Sequence, residues 1–183
     1  NAKGIHSHLA DASVDGPPYE CLGFDFIKKF IGYGDDSYQT LEEWIRESRQ
    51  DQSCDMLLQM DIEGSEYEVL MDTSNETLKN FRIMCIEFHG FDRLLDRDYF
   101  IYVKNIFKKL SKSFHICHIH PNNVSDPVSY KGMSIPPTLE FTFIRKDRVD
   151  IKGYMTQDSY PLNLDVRNVD YKKDLVLSKA FFK

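Results

Sequence analysis

LLQMDIEGSEYEVL, residues 57–70, passes from a strand signal to a turn signal to a helix signal. Its first part belongs to the run CDMLLQMDI at 54–62, which is apolar almost throughout and ends in acid. Such a run suits a strand buried on both faces of a parallel sheet. The turn EGSE at 63–66 follows, and a helix is expected from about Tyr67, with Ser65 and Glu68 spaced as a capping box.

The same alternation continues downstream. RIMCIEFH at 82–89 reads as a second buried strand ending in polar groups. Residues 97–114 carry Tyr99, Phe100, Val103, Ile106, Phe107 and Leu110 at helical spacing, with Lys104, Lys108 and Lys109 expected outside. HICHIH at 115–120 is a further strand, closed by the turn PNN. LEFTFI at 139–144 alternates, with Leu139, Phe141 and Phe143 on one face. It reads as an antiparallel strand near an edge.

Upstream, IHSHLADA at 5–12 reads as a short strand ending at Asp11, and the proline-bearing SVDGPPYE as a loop, because proline supplies no N–H to a ladder. FDFIKKFI at 24–31 is expected as one strand and GYGDDS at 32–37 as a turn. Thr40 and Glu43 form a capping box for a helix over 40–49, with Leu41, Trp44 and Ile45 on one face. Residues 148–183 show no strong period and read as a tail that wraps the domain. Asn1-Ala2 is set aside from fold reasoning.

Strand–helix alternation implies an α/β fold: a Rossmann-like, mostly parallel, doubly wound sheet with an antiparallel edge strand. One domain is expected over 1–183, with a core at 5–147 and a tail at 148–183. Ligands of open α/β sheets bind beyond the carboxyl ends of the strands. There the sequence collects Asp11, Asp61, Glu63, Glu87, His89, His120 and Asn122.

LLQMDIEGSEYEVL resembles the core motif of FkbM-type methyltransferases, in which a hydrophobic strand ends in Asp-x-Glu-Gly-x-Glu before a helix. The matching positions are Asp61, Glu63, Gly64 and Glu66. IEFHGFD at 86–92, HIHPNN at 118–123, IPPTLEFTFIRK at 135–146 and ADASVDGPP at 10–18 are similar to further family segments in order and spacing. The resemblance covers about residues 5 to 147. It implies a partial class I methyltransferase fold with S-adenosylmethionine as cofactor. It also implies an N-terminal strand and glycine-bearing loop, expected here to be missing before Ile5. GYGDDS sits in the wrong place for that loop, after the strand expected at 24–31, and a lone GxG is weak; its two aspartates also argue against a phosphate-binding loop.

The resemblance makes Asp11 the acid that holds the cofactor ribose, against a local role as an Asx-turn residue. Asp61 is expected to bind cofactor and to act in catalysis with Glu63, Glu87 and His89. Close carboxylates either share a cation or push one pKa upward, and an acceptor hydroxyl needs a base, Asp61 or His89. Alternation puts Glu87 and His89 on one side of their strand, where a proton-transfer set or a divalent cation site of the Mg or Mn class can form. The plain alternatives are helix-dipole acidity, which accounts for Glu66 and Glu68 best, and a hydrogen-bonded pair at a sheet edge. His118 and His120 should face one side of their strand and His115 the other. No partner lies at zinc spacing, so no metal centre is assigned to them. Trp44 and the aromatics of 99–107 read as core.

Bulk properties narrow the classes. Hydrophobic residues make up 42% and charged residues 28% of 183 residues, with 13 Phe and 10 Tyr, enough for a folded core. A net charge of −6 argues against nucleic acid and anionic membrane surfaces. No run is long and apolar enough to span a bilayer, and no signal peptide is visible. Cys21, Cys54, Cys85 and Cys117 read as reduced side chains of a cytoplasmic protein rather than a disulfide framework.

The expected function is O-methylation of a sugar, glycan or other small-molecule hydroxyl. The alternative is a non-catalytic or truncated module that binds a partner or glycan, with an exposed sheet edge favouring a homodimer. A third reading is a cation-dependent hydrolase using the same carboxylates.

Overall fold

The computed structural model describes residues 5–17, 23–48, 54–150 and 160–177. The expectations for Asn1-Ala2, for Cys21 and for parts of the loop and tail lie outside these residues. The elements in order are β1 (Ser7–Ala10), β2 (Phe24–Ile27), β3 (Phe30–Ile31), β4 (Tyr38–Gln39), α1 (Leu41–Ser48), β5 (Met56–Met60), α2 (Glu66–Asp72), α3 (Asn75–Leu78), β6 (Phe81–Phe88), α4 (Arg97–Leu110), β7 (Phe114–Pro121), β8 (Val128–Tyr130), β9 (Met133–Ile135) and β10 (Leu139–Arg145).

The main sheet has the order β5-β6-β10-β7. β5 and β6 are parallel, and β10 is antiparallel to both β6 and β7. Three of the four strands therefore point the same way, as expected of a mostly parallel Rossmann-like sheet. The antiparallel strand does not lie at the edge: β10 fills the slot between β6 and β7. Its alternating burial explains the position, since Leu139, Phe141 and Phe143 must all be covered.

Leu58 and Met60 of β5, Met84, Ile86 and Phe88 of β6, and Leu139, Phe141 and Phe143 of β10 share one face by register. Helices α2 and α4 cover it: Tyr67 and Phe107 lie 5.2 and 5.1 Å from Phe88, and Phe107 lies 5.1 Å from Phe141. Each such aromatic contributes roughly 2–3 kcal/mol on burial. Against the opposite face packs the segment 160–177, where Asp165 reaches His118 at 3.0 Å and Tyr160 and Leu177 are buried.

Several expectations change in detail. The run 24–31 is two strands, broken at Lys28 and Lys29; β2 pairs with β1 and β3 with β4, both in parallel. The charged pair interrupts the apolar alternation, and Lys28 turns to Asp15. β5 is not buried on both faces. It is an outer strand of the main sheet among the described residues, with Leu57 64% exposed.

The capping box at Thr40 and Glu43 forms in both directions, at 3.1 and 3.2 Å. The second does not: Ser65 already has helical backbone angles (φ −85°, ψ −1°) and makes no side-chain cap. A cap residue needs an extended backbone to turn its oxygen onto the first turn. On α4 the apolar stripe is Val103, Ile106 and Leu110, while Phe100 is 46% exposed. Lys109 does not face solvent alone: its Nζ donates to the carbonyls of Leu70 (2.8 Å) and Met71 (2.7 Å) and to that of Thr73. The end of α2 thus meets a cation where its dipole is negative.

In β7 the register slips between Thr142 and Phe143, so His115 pairs with Ile144, His118 with Thr142 and His120 with Glu140. The bulge places all three histidines on one side instead of splitting them.

Candidate functional site

β5, β6 and β7 run parallel, so Asp61, His89 and Asn122, each just after its strand, emerge at one rim. The chain must turn sharply after β5 to start α2. Glu63 (φ 55°) and Gly64 (φ 105°) both adopt the left-handed region, unusual for a glutamate and easy for glycine. That turn points the amides of Ile62 and Gly64 at Oε1 of Glu66, each at 3.1 Å. The glutamate that ends the Asp-x-Glu-Gly-x-Glu segment ties its own turn together.

Glu66 does more. It has no exposure to solvent, and its Oε1 also meets Nδ1 of His89 at 3.1 Å. A carboxylate accepts, so the proton is on Nδ1. In the neutral imidazole Nε2 then carries the lone pair. Around Nε2 lie Glu63 Oε2 at 3.6 Å, Glu87 Oε1 at 3.8 Å and Asp61 Oδ1 at 4.0 Å. None is a hydrogen bond at that length. The second oxygen of Glu66 is buried with no hydrogen-bond partner. Among the described residues no lysine or arginine pairs with these four carboxylates; their ionic neighbour is His89.

Glu87 is mostly buried and accepts from Asn122 Nδ2 at 2.9 Å. Burial pushes its carboxyl above the usual range, the Asn122 bond opposes this, and Asp61 raises it further. Glu140 lies opposite Glu87 in the register, with His120 beyond it, so a polar row crosses the sheet just below the rim. The backbone carbonyl of His89 accepts from the Tyr99 hydroxyl at 3.2 Å, which anchors the loop from the core side.

The four expected catalytic residues, Asp61, Glu63, Glu87 and His89, are thus brought together. Asp11 is not among them. Its Oδ1 accepts from the Ser13 amide (2.7 Å) and hydroxyl (2.6 Å), the Asx-turn arrangement, and these bonds lower its pKa. It follows β1, which among the described residues pairs with β2 and lies outside the main sheet. The sequence placed Glu66 in the motif but read its role as helix acidity, and passed over Glu140. The signal for Glu66 was its place two residues after a glycine that follows an acid, where a side chain can fold back on the turn.

The mostly parallel α/β sheet is that of a partial Rossmann-like fold, a class in which ligands bind beyond the carboxyl ends of the strands. Residues 28–114 match the family model of the methyltransferase FkbM domain. The match includes Asp61, Glu63, Glu66, Glu87 and His89 and leaves Asp11 and β10 outside. No curated protein and no solved structure matches the chain.

Proposed function

We propose that the chain carries the catalytic rim of an S-adenosylmethionine-dependent methyltransferase acting on a hydroxyl oxygen of a sugar, glycan or other small molecule. The observation that carries this reading is the gathering of Asp61, Glu63 and Glu87 oxygens within 4.0 Å of His89 Nε2, in a stretch matched to a methyltransferase family.

The residues fit the cofactor by charge. A carboxylate-rich rim with no basic partner among the described residues suits a donor whose reactive end is positive and repels phosphate-bearing cofactors. When bound, S-adenosylmethionine supplies a methyl group on a positively charged sulfur, which becomes a neutral thioether as the acceptor oxygen takes the carbon. Asp61 would face that donor, and Asp11 would serve its ribose if the loop opens Oδ1 from Ser13. Glu87, held by Asn122 and mostly sheltered from water, takes the acceptor's proton. Glu66 sets the His89 ring, and the rigid rim holds the acceptor in line, where positioning provides much of the rate.

Cytoplasmic placement fits the free thiols at Cys85 and Cys117. No described helix is long and apolar enough to cross a membrane. A single domain with a wrapping tail fits the contacts of 160–177, and the outer edge of β5 offers a surface for a second copy to pair.

Calorimetry with S-adenosylmethionine and S-adenosylhomocysteine, followed by radiolabelled methyl transfer to a panel of glycan hydroxyls, tests the reading. Cofactor binding with turnover abolished in Glu87→Gln supports it. No heat at millimolar cofactor replaces it with a non-catalytic binding module.

A further inference from the structure

The rim has an organisation that proton transfer alone does not require. Glu66 is wholly buried, spends one oxygen on three N–H donors and leaves the other without a hydrogen-bond partner. Its effect is to fix the proton of His89 on Nδ1 and aim the Nε2 lone pair outward. Oxygens of Asp61, Glu63 and Glu87 lie 3.6–4.0 Å from Nε2, too far to hydrogen-bond; those of Asp61 and Glu63 come within 4.8 Å of each other, close enough to repel. A carboxylate behind a histidine whose far nitrogen faces other anionic ligands is the arrangement that orients metal-binding imidazoles.

We propose that Asp61, Glu63 and His89 Nε2 bind one divalent cation of the magnesium or manganese class, with Glu66 as the residue that positions the imidazole. The ligand atoms of these three residues lie within 4.8 Å of one another. Two carboxylates and one imidazole favour a hard, oxygen-preferring ion with coordination positions left for water or substrate. A doubly charged ion also offsets the charge that these carboxylates bring together. The open positions would hold the acceptor hydroxyl and lower its pKa, its proton then passing to Glu87. That role rests on the methyl-transfer reading; the binding of the ion does not.

A second cluster, His6, His8 and Asp25 on β1 and β2, also groups three potential ligands. The test is therefore made in a His6→Ala, His8→Ala background. Mn2+ binding to the chelator-treated protein is followed by electron paramagnetic resonance, and Mg2+ by calorimetry, with no cofactor present. One Mn2+ per chain is expected. Asp61→Asn combined with Glu63→Gln, both at exposed positions, should weaken it at least tenfold with an unchanged circular dichroism spectrum. Glu66→Gln should weaken it about 10–100-fold, as loss of an outer-shell partner does; should that variant not fold, the Asp61/Glu63 pair decides. Absence of Mn2+ binding at millimolar concentration, or binding indifferent to Asp61→Asn with Glu63→Gln, overturns the proposal. Mn2+ binding without cofactor binding would keep the ion and remove the methyl-transfer reading; cofactor binding and turnover undiminished by a chelator would keep the methyl-transfer reading and remove the ion's role in it.

Discussion

Glu66 and His89 meet at 3.1 Å across the rim of the sheet, the first fully buried at the head of α2 and the second at the end of β6. One side chain thereby fixes both the turn after β5 and the orientation of the imidazole. Glu66→Gln keeps one acceptor oxygen and replaces the other with a donor. We expect it to lower stability by about 1–3 kcal/mol, as a disrupted buried hydrogen-bond set does. Urea denaturation measures the loss. Nitrogen NMR of the ring should show His89 shifting from the single Nδ1–H tautomer to a mixture.

Gly90 is the adjoining constraint. It has φ +83°, and a Cβ there would lie 2.5 Å from the Tyr99 hydroxyl oxygen. Gly90→Ala should cost about 1–3 kcal/mol from backbone strain, with the steric clash added. Tyr99→Phe removes the clashing oxygen, so the double variant should lose less than the sum of the singles. Strict additivity in the thermal melts would refute the contact.

A different restraint holds the amino ends of the parallel strands. Asp55 accepts from Arg145 at 2.7 Å and from Arg148 at 2.8 Å, and Asp147 accepts from Arg145 at 2.6 Å. Arg148 first, then Arg145, holds the Asp55 carboxyl below its usual range, and Arg145 does the same for Asp147. Because the folded pKa values are depressed, the stabilisation is complete above the unfolded carboxylate range near ~3.9. It is lost as pH falls through the lower folded values. Asp55→Asn should therefore be less stable than the parent at neutral pH, with the two stability curves converging toward pH ~2. Parallel curves down to that pH would show that the pairs contribute nothing.

Lys109 caps a helix that is not its own. Lys109→Met keeps the packing of the stem and removes three hydrogen bonds to α2 and the loop after it. A loss of about 1–2 kcal/mol is expected, the upper range for a partly buried cation at a helix end. Hydrogen exchange should rise first at the amides of residues 70–73; a uniform rise across the sheet would argue for general destabilisation instead.

How much of this was legible in the sequence follows from what each element depends on. β10 could be read from its period because Leu139, Phe141 and Phe143 alternate without interruption; its place inside the sheet could not, since strand order is a tertiary property. Thr40 announced its cap because the residues that make it are local. Ser65 had the same spacing, but the left-handed turn at Glu63 and Gly64 sets the backbone there, and spacing does not carry backbone angles. Asp61, Glu63, Glu87 and His89 were visible as acids and a histidine after apolar runs. Glu66 was not, because a buried glutamate looks in sequence like any other first-turn acid. The bulge that realigns His115 left no sequence signal at all.

The slot that β10 occupies sets the order of assembly. β6 and β7 leave a gap that a strand made some twenty residues after β7 must enter, facing the other way. During synthesis the acidic rim can begin to form once β6 has emerged, but the sheet stays open until residues 139–145 leave the ribosome. Until then Phe88 and Ile119 lack their neighbours, and the nascent chain exposes the edges most prone to wrong pairing. A polypeptide stopped before Leu139 should therefore depend on chaperones far more than the same chain extended a few residues beyond Arg145.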